Sequence, residues 1–129
     1  MSTAATPKTD SSPLNFNWDS ETATSEYYIY MHFAEVEKLK ANQSRSFYIT
    51  INGEPFHGPY VPEYLSTETL SSRWALTKAK NYEVSILKTE NSALPPILNA
   101  VEIYSVRNLS QSETDQQDGT LLYTYASNL

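Results

Sequence analysis

Apolar side chains in this sequence return at every second position, run after run. Leu14, Phe16 and Trp18 alternate with Asn15, Asn17 and Asp19. In Tyr27 to Ala34 one parity carries Tyr27, Ile29, Met31 and Phe33, and the other Tyr28, Tyr30, His32 and Ala34. Phe47, Ile49 and Ile51 repeat the pattern, as do Tyr82, Val84 and Ile86, and then Ile97, Asn99, Val101 and Ile103. A period of two puts successive side chains on opposite faces of a strand. No helix-forming stretch of ten residues or more interrupts these runs, so the crossover helices that a parallel sheet needs are missing. Asn52-Gly53 directly after an alternating run is a strong hairpin signal, because both turn positions need positive φ. The expected fold is therefore all-β: an antiparallel β-sandwich or jelly roll. The run at Tyr27 is apolar on both faces and reads as a central strand.

The 129 residues suffice for one domain. Residues 1–13 are Ser, Thr, Ala and Pro with little to bury and read as a flexible lead-in. Residues 14–107 carry the sandwich, and 108–129 return to polar, acidic sequence expected to form a tail. Pro55, Pro59 and Pro62 shorten the partner of the Phe47 strand and mark 55–64 as an edge or shaped loop. Thr67 to Leu76 is a weaker strand anchored on Trp74. The phase of the runs sends Phe33, Ile49, Val84, Ile86, Val101 and Ile103 inward. Asn99 shares that face and must find a hydrogen-bond partner, since an unpaired buried amide costs ~1–3 kcal/mol.

Composition then limits the chemistry. Nine basic against fifteen acidic residues give a net charge of −6, which repels nucleic acid and anionic membrane surfaces. The chain has no Cys, which removes disulfides, thiolate metal sites and thiol nucleophiles. No apolar run approaches the ~20 residues of a membrane helix, and MSTAATPKTDSSP lacks the ~7–15 apolar residues of a signal peptide. His32 and His57 are not at metal-ligand spacing, no G-x-S-x-G occurs, and the three glycines cannot build a phosphate loop, so no cofactor or metal is expected. Glu35 and Glu37 would project from one strand face roughly 6.5–7 Å apart, near the spacing of an inverting glycosidase. Their setting among Lys38 and Lys40 favours a solvated charged turn instead, and His32 reads as a packed or hydrogen-bonded strand residue. What stands out is the aromatic content: ten Tyr, four Phe and two Trp. Tyr28, Tyr30, Phe56, His57, Tyr60, Tyr64 and Trp74 are candidates to lie off the main core face. Of these, Phe56, Tyr60, Tyr64 and Trp74 are the selected ligand-binding candidates, since such rings bury area while offering a polar tip. Asn42 and Asn108 head N-x-S sequons, acceptors for glycosylation in a secretory setting.

YYIYMHFAEVEKLKANQSRSFYITING (27–53), YVPEYL (60–65) and LKTENSALPPILNAVEIYSV (87–106) resemble the malectin-like ectodomain of plant leucine-rich-repeat receptor-like kinases, with HFAE (32–35) and PPILNAVEIY (95–104) the most specific pieces. The resemblance covers roughly 1–117 and implies a jelly-roll sandwich, an extracellular position at the plasma membrane and no catalysis. It further implies ligand sensing, with a carbohydrate as the usual ligand and a peptide or receptor partner as the rival. It is closest to the second of two tandem modules. MSTAATP resembles an internal stretch of the family, which implies that one or more N-terminal strands are lacking, as in a truncated or spliced product. SQSETDQQD resembles the lead-in to the repeats, and GTLLYTYASNL does not continue them. Animal malectin contacts sugar through loop aromatics and an acidic residue, and none of these is carried over to a position here.

Overall fold

A computed structural model describes residues 13–108 and 120–128, with 107, 108 and 120–128 described by their backbone. The lead-in expected over 1–13 lies outside the described residues apart from Pro13. Eight strands run in chain order: β1 (Leu14–Asp19), β2 (Glu26–Phe33), β3 (Phe47–Ile51), β4 (Glu54–Tyr60), β5 (Glu68–Ser71), β6 (Asn81–Lys88), β7 (Ala100–Asn108) and β8 (Thr120–Asn128). They form two four-stranded sheets, β1-β6-β3-β4 and β5-β2-β7-β8, antiparallel at every strand pair. The architecture is the expected β-sandwich, and no helix occurs among the described residues.

Alternation explains the core. β2 turns Tyr27, Ile29, Met31 and Phe33 inward, β3 Phe47, Ile49 and Ile51, β6 Tyr82, Val84 and Ile86, and β7 Val101 and Ile103, all buried. Each large apolar side chain fully withdrawn from water contributes ~1.5–3 kcal/mol. Aromatic clusters close the two ends. Trp18 stacks on Tyr82 at 5.2 Å and meets Tyr27 edge-on at 5.9 Å, while Phe33, Phe47 and Tyr60 lie 5.2 to 5.5 Å apart. Asn99 is buried on the expected face, where its Oδ1 accepts from the Ala34 amide at 2.8 Å. β2 lies between β5 and β7, the central position its two apolar faces indicated.

The hairpin forms where expected, with Asn52 at φ 51° and Gly53 at φ 79°. Three sequence expectations give way. β4 is a seven-residue edge strand and not a short partner, because an outermost strand tolerates prolines on the side that has no neighbour. Trp74 anchors nothing: it follows β5 and is 74% exposed, and Leu70 is the β5 residue that packs on the core. Within the stretch expected as a tail, Thr120–Asn128 pairs with β7 along its full length. Its alternation was overshadowed by the polar run before it.

Candidate ligand-binding faces

Because one parity of β2 faces the core, the other must face outward, and register decides what it meets. Tyr28 lies opposite Tyr104, Tyr30 opposite Glu102, and His32 opposite Ala100. Tyr30 and Tyr104 make an edge-to-face contact at 5.4 Å. The Tyr104 hydroxyl donates to Glu102 Oε2 at 3.1 Å, and His32 Nε2 stands 3.7 Å from the same oxygen. The other imidazole nitrogen, Nδ1, is 2.8 Å from the Thr69 hydroxyl on β5, so His32 is the hydrogen-bonded strand residue its position suggested. Tyr28, Tyr30, Glu102 and Tyr104 line a recess of about 450 Å³. Three tyrosine rings around a carboxylate whose Oε1 has no hydrogen bond among the described residues present both apolar surface and a hydrogen-bond acceptor.

The four candidates selected from sequence separate. Phe56 and Trp74 come together in a groove of about 520 Å³ between the edge strands β4 and β5, with His57, Leu70, Arg73 and Leu76. Tyr60 is only 7% exposed and packs among Phe33, Phe47 and His57. Its hydroxyl has no hydrogen-bond partner among the described residues. Burial, reinforced by Glu68 and Glu63, pushes its pKa up to about 12. Tyr64 is exposed elsewhere, in an isolated parallel bridge with Glu35. Asn42 is exposed in the turn before β3, whereas Asn108 ends β7 and its side chain and sequon partners lie outside the described residues.

Glu35 is not in a solvated turn, nor does it pair with Glu37 across a cleft. It is 2% exposed and gripped by Arg45, with Nε to Oε2 at 2.5 Å and Nη2 to Oε1 at 3.4 Å, and Oε1 also accepts from the Glu37 amide at 3.2 Å. Arg45 Nη1 donates to the Pro95 carbonyl at 2.6 Å, which ties both ends of the β2–β3 connection to the β6–β7 loop. The Glu37 side chain is 66% exposed. The polar run EVEKLKANQS disguised a buried ion pair, because its partner sits ten residues away.

Sequence reasoning selected Tyr28 and Tyr30 as candidates but missed Glu102 and Tyr104. Parity places both opposite Val101 and Ile103, hence outward, which was a usable signal. Their meeting with β2 required the register.

The Malectin-like domain family matches residues 1–106 of the chain. The chain belongs to that family. Among its curated malectin-like relatives, a receptor-like protein kinase of Arabidopsis thaliana is 42% identical over 92% of this chain and 14% of its own length. Two further Arabidopsis thaliana proteins named "probable LRR receptor-like serine/threonine-protein kinase" are 39% and 42% identical, over 92% and 90% of this chain. The chain spans 13% and 14% of their lengths. No solved structure matches this malectin-like chain.

Proposed function

We propose that this chain is a non-catalytic, carbohydrate-binding ectodomain module that works on the extracellular side of the plasma membrane, as part of a receptor system of the kind its relatives' names describe. The observation that carries the reading is the recess of Tyr28, Tyr30, Tyr104 and Glu102. Sugar rings have apolar C–H faces that stack on aromatic rings and hydroxyls that donate to a carboxylate, and this cluster supplies both. A charge-assisted hydrogen bond contributes ~1.5–3 kcal/mol when water is excluded. Asn42, exposed in its turn, is the accessible glycan acceptor in such a setting.

A second reading, docking of a peptide or co-receptor, is favoured by the groove in which Phe56 lies near the exposed Trp74. Titration of immobilised chain with a panel of oligosaccharides separates the two. Tyr30→Ala is expected to weaken sugar binding at least tenfold while Trp74→Ala leaves it within a factor of two. The reverse pattern places the sugar in the β4/β5 groove. Binding that survives both variants excludes both faces as the site, and binding of no oligosaccharide defeats the carbohydrate reading.

A further inference from the structure

We infer that the Glu102 recess selects its sugar by charge, accepting neutral or amino-bearing oligosaccharides and rejecting uronate-bearing ones. This rests on the carbohydrate reading above. Among the described residues that line the recess Glu102 is the one charged side chain, and it sits opposite Tyr30 in the middle of the aromatic positions. Its Oε2 is occupied by the Tyr104 hydroxyl, with His32 close by, so Oε1 is the oxygen left for a ligand. That oxygen can only accept. A sugar hydroxyl suits it, and an ammonium suits it better, because charge-assisted bonds are roughly twice as strong as neutral ones.

A uronate meets the opposite situation. Recognition of a carboxylate normally requires Arg or Lys to offset the lost hydration. Alternation brings Glu26 of β2 onto the same face as Glu102, and the described residues of β2, β5 and β7 that face this way include neither Lys nor Arg. Outward positions from Tyr28 to His32 span ~13 Å at 3.3 Å per residue, enough for two or three pyranose rings. A uronate at any of them lies near Glu102.

The test is calorimetric titration of the full 129-residue chain with cellohexaose, maltohexaose, hexagalacturonate and a glucosamine hexamer, at 0.15 M and 0.5 M salt. One of the neutral hexamers is expected to bind at least tenfold tighter than hexagalacturonate, and the glucosamine hexamer at least as tightly as the neutral one. Raising salt shortens the screening length from ~8 Å toward a few ångströms. A preference that survives it therefore arises in the recess and not from the net charge of −6. Glu102→Gln keeps the shape, weakens neutral binding severalfold and brings hexagalacturonate to within threefold of it. Equal wild-type binding of neutral and uronate hexamers overturns the inference and leaves the carbohydrate reading standing, as does a preference that Glu102→Gln leaves unchanged. Binding of none of the hexamers overturns both.

Discussion

Two buried polar residues carry unusual constraints. Arg45 and Glu35 are 5% and 2% exposed, and Arg45 also holds the Pro95 carbonyl. Removing one partner of a buried pair strands the other without water, so Arg45→Ala is expected to lower stability by ~3–5 kcal/mol. Urea denaturation measures this, and Glu35→Leu combined with Arg45→Met should recover much of the loss. Tyr60 presents the converse case, a buried hydroxyl with no described partner. Tyr60→Phe removes an unmet donor and should be neutral or mildly stabilising near neutral pH. Its raised pKa, about 12 against the ordinary 10.0, means that the unfolded chain releases the proton first as pH rises. This group therefore leaves stability unchanged below pH 10 and lowers it between pH 10 and 12, by at most ~2.7 kcal/mol at 1.36 kcal/mol per unit. Alkaline melts of Tyr60→Phe should accordingly fall less steeply with pH than those of the wild type. The roles of Glu35 and Tyr60 were not legible in sequence, since polarity suggested surface for the one and a polar-tipped ring suggested it for the other, while burial depends on distant loops.

At the scale of elements, β4 shows how a strand re-aims its side chains. Against β3, Phe47 pairs with Tyr60, Ile49 with His57 and Thr50 with Pro55. Gly58 and Pro59 thus face Tyr48 together, and Phe56 is inserted without a partner. Such bulges bend and twist a strand, and here they bring Phe56 toward β5. The bulge at Gly58 depends on glycine: φ is 134°, and a Cβ would meet Tyr48 Cδ1 at 2.8 Å and Tyr48 Cα at 2.9 Å. Gly58→Ala should cost ~1–3 kcal/mol through this overpacking, measured as a lower urea midpoint with an unchanged slope. Asn52-Gly53 announced the hairpin in the sequence because its φ requirement is local. The bulges were not announced, since they express a mismatch between two strands.

The whole molecule unfolds as one unit if its two sheets share a single core, and the tryptophans allow this to be followed. Trp18 is packed in the aromatic cluster of the first sheet against Tyr27 of the second, while Trp74 is exposed. In Trp74→Phe, the fluorescence of Trp18 and the far-ultraviolet circular dichroism should change together in urea, with one midpoint. Separate midpoints would mean that the sheets lose structure independently. The sequence by itself determined the all-β class, the inward phase of β2, β3, β6 and β7, the buried Asn99 and the first hairpin, because side-chain alternation and turn conformation are properties of neighbouring residues. Only the tertiary structure decided that Glu35 is buried against Arg45, that Tyr60 belongs to the core and Trp74 to the surface, and that Tyr28 and Tyr30 meet Glu102 and Tyr104. Those outcomes depend on register and loop closure between segments up to some seventy residues apart.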